Sequence, residues 1–351
     1  MKLLILTRYS YDGASSRYRF YQYLHLLESN DIKIVVQPLF SNSYVKNLTE
    51  SKNKQYLEII FSYLKRITFL ILNSRFDLIC IEKEILPWMP HVFESILINS
   101  KTPYVVDYDD AVFHSYDLHS KHWVRKLLGN KIDQIMEKSS LVVAGNAYLA
   151  SRAIDAGAKR VEILPTVINL DKYNIISSVE NTSITIGWIG SPSTTRYLQS
   201  LAPVFQKVCT HKNKIVAIGA NYFQIDGVEV EVKKWSEENE VLELQKIDIG
   251  IMPLDDTPWS RGKCGFKLIQ YMACGKPVIA SPIGVNADIV EHGINGFLAS
   301  DLEEWKHYLR VLIDDKELRA KMGKQGRLKV EREFSLQVTG PRLLEFLTSI
   351  R

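Results

Sequence analysis

The chain has 351 residues, of which 24% are charged, and a formal net charge of +4. That length is more than one ordinary hydrophobic core needs, so it predicts two domains. The charge is too small to predict nucleic-acid binding, but it is compatible with anionic substrates or an anionic membrane surface.

The first half of the chain predicts alternating strands and helices. Strands are predicted over residues 3–7, 32–37, 78–82, 104–106, 141–144 and 161–165. Helices are predicted over residues 17–28, 55–73, 124–138 and 146–157. This alternation is typical of βαβ units around a parallel sheet. We therefore predict an N-terminal Rossmann-like domain over residues 1–170.

The second half repeats this pattern after a stretch without clear periodicity. Residues 171–183 are interpreted as the linker. Strands are predicted over residues 184–189, 214–218, 228–232, 249–253 and 277–281. Helices are predicted over residues 197–208, 237–246, 302–313, 316–332 and 340–350. Both halves open with a strand, a turn with glycine and serine, and a helix, which predicts two similar α/β domains.

The cysteines and the N-terminal sequence favour a cytosolic protein. Cys80, Cys209, Cys264 and Cys274 form no CxxC pair and no Cys/His cluster with metal-ligand spacing. The N-terminal sequence MKLLILT lacks the pattern of a signal peptide. We also find no apolar stretch of eighteen or more residues, so we expect no transmembrane helix.

The stretch from Ile249 to Phe297 predicts an anion site. It reads as a strand, a turn with Lys263, a helix that begins near Gly265 with Lys267 in its first turn, and another strand. A helix N-terminus presents unpaired N–H groups and the positive end of the dipole. Two lysines at this end are unfavourable, and a bound anion would offset that cost. We expect a phosphate, most simply a nucleotide pyrophosphate. Ordinary turn glycines and solvated lysines are the alternative.

The second half resembles the retaining glycosyltransferases of family 4. These enzymes have the GT-B architecture, in which two Rossmann-like α/β domains face each other across a cleft. The resemblance rests on Gly190, on the run GFKLIQYMACGKPVIASPIGVNADIVEHGINGF, and on EREFS before the last helix. The first half matches through GASSR, VVDYDD, AGNAYLA and EILPTVINLDKY. The resemblance implies a second domain over residues 171–335 that binds a nucleotide diphosphate sugar. It also implies that residues 336–351 cross back onto the first domain.

The resemblance also implies a set of donor-binding residues. The family has two glutamates eight residues apart, and those positions hold Gly262 and Gln270 here. Gln270 retains a side chain able to bind the ribose, and the chain is similar to a lysine-rich variant in which Lys263 and Lys267 contact the diphosphate. The implied donor-binding residues are Gly190, Ser191, Arg196, Lys263, Cys264, Gly265, Phe266, Lys267 and Gln270.

The acidic triplet Asp107, Asp109 and Asp110 follows a predicted strand of the first domain. The family often has a histidine near this point that faces the sugar, and its position falls on Asp109. We interpret these carboxylates as catalytic, with Asp109 first, either near the anomeric carbon or holding the acceptor hydroxyl. A D-x-D metal site and a helix-capping turn are the alternatives. Because lysines already supply positive charge, we predict no metal and no cofactor.

Two further regions are expected to meet the acceptor or a membrane. Gly13, Arg17 and Arg19 are placed at the mouth of the cleft, with ordinary surface arginines as the alternative. The helix 55–73 is apolar nearly all round, with Lys65 and Arg66 as its cations. It is expected either to touch a membrane surface or to be buried on both sides.

The predicted protein is a cytoplasmic hexosyltransferase-type enzyme, with peripheral contact at the inner face of the cell membrane. It would transfer a sugar, with retention and without a metal, to a hydroxyl of a saccharide or lipid-linked acceptor in cell-surface polysaccharide synthesis. No nucleic-acid partner is expected. The alternatives are a nucleotide-sugar epimerase of the same architecture and a non-catalytic nucleotide-sugar-binding subunit.

Overall fold

The computed structural model describes residues 1–49, 56–73, 75–98, 102–174, 183–210 and 212–350, and these form two α/β units. The first unit comprises Met1–Thr166, Gly262–Cys264 and Thr339–Arg351, and the second comprises Val167–Arg261 and Gly265–Val338. The chain therefore changes unit at Val167, a few residues before the boundary expected at 171. Most of the predicted linker, residues 175–182, lies outside the described residues.

The first unit is built on a parallel sheet of six strands. They are β1 (Lys2–Tyr9), β2 (Lys33–Phe40), β3 (Leu78–Glu82), β4 (Tyr104–Tyr108), β5 (Leu141–Ala144) and β6 (Val161–Ile163). Their order is β2-β1-β3-β4-β5-β6. Helices cover both faces of such a sheet, which is why β3, β4 and β5 are buried throughout and read as apolar runs. The strand order reverses between β1 and β3, and ligands of doubly wound sheets bind at such a switch point.

The helices of the first unit are shorter than predicted. They are α1 (Ala14–Arg19), α2 (Leu24–Glu28), α3 (Asn42–Thr49), α4 (Tyr56–Leu72), α5 (His91–Leu97), α6 (His114–Asp117), α7 (His122–Leu128), α8 (Lys131–Lys138) and α9 (Ala147–Asp155). The predicted helix 17–28 is interrupted at Phe20, whose φ of −130° is not helical. The predicted helix 124–138 is divided at Gly129 and Asn130, both weak helix formers. The sequence did not predict α3 or α5.

The second unit has its own parallel six-stranded sheet. Its strands are β7 (Ile184–Ile189), β8 (Asn213–Ile218), β9 (Val230–Lys233), β10 (Ile249–Met252), β11 (Val278–Ala280) and β12 (Gly296–Leu298). Their order is β12-β11-β10-β7-β8-β9, which reverses between β7 and β10. The loops after β7 and β10 therefore meet at the switch point of this sheet. The short strand β12 was not predicted.

The second unit carries most of the remaining helices. They are α10 (Thr195–Gln199), α11 (Ala202–Val208), α12 (Glu237–Gln245), α13 (Pro258–Arg261), α14 (Phe266–Ala273), α15 (Asn286–Ile289), α16 (Leu302–Asp314), α17 (Lys316–Glu333) and α18 (Leu336–Thr348). The predicted helix 197–208 is divided before Pro203, which lies in the first turn of α11. The later part of α18 belongs to the first unit, where the hydroxyls of Thr339 and Tyr23 lie 2.9 Å apart.

Candidate active site

Glu82, at the end of β3, joins the start of α1 to the sheet of the first unit. Its carboxylate is fully buried. It accepts hydrogen bonds from the backbone N–H of Arg8 at 2.7 Å and from the hydroxyl of Ser16 at 2.6 Å. The Ser15 hydroxyl lies 2.9 Å from its other oxygen. The loops that follow β1 and β3 are thus held together at the switch point.

Asp109 is held as a carboxylate beside this cluster. Its Oδ1 lies 2.8 Å from Lys83 Nζ, and its Oδ2 accepts a hydrogen bond of 2.6 Å from the Ser15 hydroxyl. Burial acts to raise the pKa of Asp109, but the charge and hydrogen bond of Lys83, with the bond from Ser15, outweigh it and lower the pKa. Lys83 itself has a φ of +64°, a conformation that few residues other than glycine adopt. The structure thus gives Asp109 a fixed ionic partner.

Asp110 lies in a different electrostatic environment from its neighbour. Burial and the negative charge of Asp109 raise the pKa of Asp110, while Lys83 and Lys263 act against that shift. Adjacent carboxyl groups whose pKa values move apart are a common arrangement for acid and base roles. Asp110 is therefore the better proton acceptor of the two, and Asp109 the better fixed charge.

Asp107 and Arg19 form a structural pair rather than part of an open site. Arg19 Nε and Nη2 donate to the two oxygens of Asp107 at 2.8 and 2.6 Å, and Nη1 donates to the carbonyl of Leu164 at 2.7 Å. Both side chains are almost completely buried. The expectations of a catalytic Asp107 and of Arg19 at the mouth of a cleft are therefore corrected: the pair fastens α1 to β4.

Arg17 and Gly13 also have local packing roles. Arg17 is only 3% exposed, and its guanidinium lies over the rings of Tyr18 and Tyr11 at 4.9 and 5.8 Å. This position differs from the exposed one that the sequence analysis predicted. Gly13 precedes α1 and lies close to Tyr9. A Cβ at Gly13 would be 2.3 Å from the Tyr9 Cβ.

The three acidic residues do not converge on a common point as metal ligands would. Asp107 is bound by Arg19 and Asp109 by Lys83. Across the described residues, no group of three or more His, Cys, Asp or Glu side chains is arranged to hold a metal ion. The cations that the protein itself supplies already occupy two of these carboxylates.

The segment Gly262–Cys264 belongs to the first unit, although the sequence analysis assigned it to the second. Asn146 Nδ2 donates to the carbonyls of Gly262 and Lys263, both at 3.1 Å. The Cys264 thiol donates to the carbonyl of Asp109 at 2.9 Å. A Cβ atom at Gly262 would lie 2.4 Å from the Cβ of Ala111. This packing explains why the position that the resembled family fills with glutamate is a glycine here.

In the second unit, the turn after β7 meets the first turn of α14. The Lys267 ammonium lies 4.2 Å from the centroid of the buried Trp188 ring, a cation–π distance. A Cβ at Gly190 would lie 2.5 Å from Cζ2 of the buried Trp188 ring and 2.6 Å from Lys267 Nζ, so a glycine is needed beside the ring. Within the described residues, the buried indole N–H of Trp188 has no hydrogen-bond acceptor.

The start of α14 is shaped by a left-handed glycine. Gly265 has a φ of +64° and packs so closely that a Cβ there would lie 2.4 Å from Ile289 Cδ1. Phe266 and Lys267 follow as the first helical residues, and no acidic residue lies in that turn. The positive end of the helix dipole at this turn is therefore not opposed by an acidic side chain of the same turn.

The other predicted donor residues divide into exposed and buried ones. Ser191 and Arg196 are exposed in the loop and helix after β7, and Arg196 donates to the Tyr197 hydroxyl at 2.9 Å. Gln270, in contrast, is buried, and its amide donates to Glu240 at 2.8 Å and to the Tyr173 hydroxyl at 3.2 Å. The expected ribose contact of Gln270 is therefore corrected, because its carboxamide belongs to the interior of the second unit.

Lys83, Ser15 and Glu82 also belong to this site, although they were not assigned to it from the sequence. The alternation Glu82-Lys83-Glu84 directly after an apolar strand was the available signal. That signal does not identify Asp109 as the partner of Lys83. That pairing joins residues 26 positions apart on neighbouring strands, which the sheet topology alone brings together.

Comparisons with solved structures identify the fold. The chain is similar to sucrose-phosphate synthase from Thermosynechococcus elongatus, with a TM-score of 0.77 and 12% identity over 100% of this chain and 99% of that chain. It is also similar to HepE from Anabaena, solved in complex with UDP and glucose, with a TM-score of 0.70 and 17% identity over 100% of both chains. The fold is GT-B. Its two Rossmann-like α/β units confirm the predicted fold class.

Sequence comparison adds a family match in the second half of this GT-B chain. Residues 212–329, about a third of the chain, match the family described as glycosyl transferases group 1. A mannosyltransferase of Corynebacterium glutamicum, named as GDP-mannose-dependent and acting on a monoacylated phosphatidylinositol monomannoside, is 36% identical over 86 residues. That alignment covers 24% of this chain and 23% of the mannosyltransferase. The chain thus matches about a fifth to a quarter of the length of its curated relatives.

Proposed function

We propose that this protein is a retaining, metal-independent glycosyltransferase of family 4. It moves a hexose from a nucleotide diphosphate sugar to a hydroxyl of a saccharide or lipid-linked acceptor, in the synthesis of a cell-surface polysaccharide. The proposed place of action is the cytoplasm, at the inner face of the cell membrane. The family match over residues 212–329, which includes α14, supports the reaction class.

The observation that carries this proposal is the turn formed by Gly190 and the start of α14. Lys267, the positive end of the α14 dipole and the unpaired indole N–H of Trp188 favour an anion at this place in the second unit. We assign the diphosphate of the donor to this place, with Ser191, Arg196, Gly265 and Phe266 around it. Lys263 and Cys264, in the segment that runs directly into α14, are proposed to contribute to the same diphosphate.

During transfer, the bond from the anomeric carbon to the diphosphate oxygen breaks, and a bond from that carbon to the acceptor oxygen forms. Negative charge grows on the leaving diphosphate, and Lys267 with the helix amides stabilises it. The acceptor hydroxyl loses its proton as it bonds to the sugar. Asp110 is proposed to accept that proton, and Asp109 to stabilise positive charge on the sugar ring.

The test is calorimetric titration with UDP and GDP, followed by transfer assays. A charge-assisted contact is worth roughly 1.5–3 kcal/mol, so Lys267→Ala should weaken diphosphate binding by about one to two powers of ten. The control is Lys324→Ala, at an exposed lysine of α17. Equal binding by both variants would contradict the proposed donor site.

Three experimental outcomes distinguish the enzyme from its alternatives. A glycosylated acceptor with retained configuration supports the proposal. Free sugar altered at a second carbon would indicate the epimerase. Tight diphosphate binding with no turnover on any acceptor, and no slow donor hydrolysis, would indicate a non-catalytic binding subunit.

A further inference from the structure

Helix α4 has an exposed apolar side along its whole length. Leu57, Ile60, Phe61, Leu64 and Ile71 are all more than half exposed, and their spacing of three and four residues places them on one side of the helix. Its 17 residues make this side about 25 Å long. The predicted alternative, a helix buried on both sides, is therefore wrong for the described structure.

The opposite side of α4 is firmly attached to the first unit. Arg66 is buried and donates to the carbonyls of Thr7 and Gln37 at 2.6 and 2.8 Å. Tyr63 donates to the carbonyl of Pro87 at 2.5 Å. The exposed apolar side is thus presented on a fixed helix, and Arg66 is not one of its cations, in contrast to the sequence-based expectation.

The apolar surface continues onto the neighbouring segment. Helix α5 packs against α4 and exposes Val92, Phe93 and Ile96, the last of them 75% exposed. Trp88, just before α5, is half exposed in a backbone conformation with a φ of +62°. We call the exposed apolar side chains of α4, Trp88 and α5 the apolar face.

The exposed charged residues of α4, α5 and α7 are all basic. Residues 56–73 and 88–98, all of which are described, contain two acids: Glu58 is partly buried and accepts hydrogen bonds from the hydroxyls of Ser41 and Ser43, and Glu94 is buried beside the ammonium of Lys131. Lys65 is the exposed charged residue of these two ranges. The loop before α7 reaches Trp88 through His119, and α7 adds exposed Arg125 and Lys126 with Trp123 and Leu127.

We propose that the apolar face docks the first unit onto a lipid bilayer with anionic headgroups. A helix that lies in the interface buries its apolar side among the acyl chains, while neighbouring lysines and arginines bind anionic headgroups. Trp88 and Trp123 are suited to the depth of the headgroups. No helix in the described part of the chain is long and apolar enough to cross a bilayer, so the contact is a surface one.

A bilayer suits this face better than a second protein does. Basic residues lie at the edge of the apolar face, and residues 56–73 and 88–98 contain no exposed acid. This charge distribution complements the continuous anionic surface of a bilayer. The inference deepens the proposed function, because it brings the unit assigned to the acceptor next to membrane-anchored acceptors. It can nevertheless be tested without any assay of transfer.

The experiment is flotation of the full chain with vesicles of phosphatidylcholine and phosphatidylglycerol, compared with phosphatidylcholine alone. Wild type should float with the anionic vesicles at low salt, and less with neutral ones. The double variant Phe61→Ser, Leu64→Ser should reduce binding at least about tenfold, since each buried apolar side chain contributes that much. Lys65→Glu should weaken binding to the anionic vesicles only.

Matched controls are Ile154→Ser on α9 and Tyr222→Ser, which are 65% and 75% exposed outside the apolar face. Both should float like wild type, and UDP binding should be the same in every variant. The proposal fails if wild type does not float, or if the controls lose binding as the double variant does. A wild-type dimer that the double variant dissociates would show that the face binds a second copy, and would equally overturn the proposal. Unchanged UDP binding would leave the proposed function standing in each case.

Discussion

At the scale of single residues, the site of the first unit depends on which cation faces which carboxylate. Asp107 and Asp109 lie two positions apart, yet Arg19 holds the first inside the unit and Lys83 holds the second near its edge. Both oxygens of Asp107 accept hydrogen bonds from Arg19, and the side chain is almost completely buried, so it is poorly accessible to a substrate. The pairing, rather than the acidic residue type, therefore separates the structural aspartate from the proposed catalytic one.

Replacing Lys83 with methionine should move the acid limb of the pH–rate profile. Lys83 lowers the pKa of Asp109 against burial, so in Lys83→Met burial prevails and that pKa rises above its usual value of 3.8. If transfer needs the carboxylate, the variant loses activity at a higher pH than wild type and recovers as the pH increases. Steady-state rates between pH 4 and 9 measure this. Lys138→Met, at an exposed lysine of α8, is the control, and an acid limb identical to wild type would contradict the role.

The same pair has a consequence for stability. Because the pKa of folded Asp109 lies below its unfolded value, its ionisation stabilises the fold above about pH 3.8, and this contribution is lost as the pH falls through the folded pKa.

Asp109→Asn should lower turnover much more than donor binding, since it removes a charge needed in the transition state.

At the scale of elements, the segment Gly262–Cys264 is shaped by the first unit and not by the helix that follows it. Asn146, at the start of α9, binds two of its carbonyls, and Ala111 leaves no room for a side chain at Gly262. Gly262 is therefore required by close packing. The segment is held through its backbone carbonyls and not through a side chain at position 262.

Gly262→Ala should destabilise the protein and should be partly rescued in combination with Ala111→Gly. The new Cβ would lie 2.4 Å from the Ala111 Cβ and 3.1 Å from its backbone nitrogen, so part of the clash remains after the second change. Overpacking of this kind lowers the free energy of unfolding by about 1–3 kcal/mol. Urea denaturation of the two single variants and the double variant measures it. Strictly additive effects would show that the two sites do not contact each other.

At the scale of the whole molecule, the duplicated architecture assigns chemistry to two switch points. In the first unit the carboxylates lie at the switch point between β1 and β3. In the second unit the turn with Lys267 lies at the switch point between β7 and β10. Each sheet has its own buried core. In the proposed chemistry, the carboxylates thus belong to the first unit, and Lys267 with the start of α14 belongs to the second.

Transfer should continue in excess chelator. In the proposed site, Lys267, Arg196 and the positive end of the α14 dipole would supply the positive charge that a metal would otherwise give the leaving diphosphate. The assay compares initial rates in EDTA and in added manganese or magnesium. Loss of activity in EDTA with recovery on adding either metal would overturn the prediction and return Asp109 and Asp110 to consideration as ligands.

The sequence by itself predicted eleven of the twelve strands of the described residues and the place of the proposed chemistry. A strand buried on both faces must be apolar throughout, so runs such as LVVA at β5 predict it without knowledge of its neighbours. The fold class followed from the alternation of these runs with helices. The carboxyl ends of the strands then indicated the acidic triplet after β4 and the turn before α14, because parallel strands direct their following loops to one edge. The family resemblance singled out Asp109 within that triplet.

Only the tertiary structure decided the partners. Arg19 and Asp107 lie 88 residues apart, and Gln270 meets Glu240 across 30 residues, so no local period encodes either contact. The tertiary structure also decided which side of α4 is covered, since its apolar residues surround the helix and Arg66 alone anchors it through strand carbonyls. Local periodicity reports burial, whereas the pairing of buried charges depends on which strands and helices the topology makes neighbours.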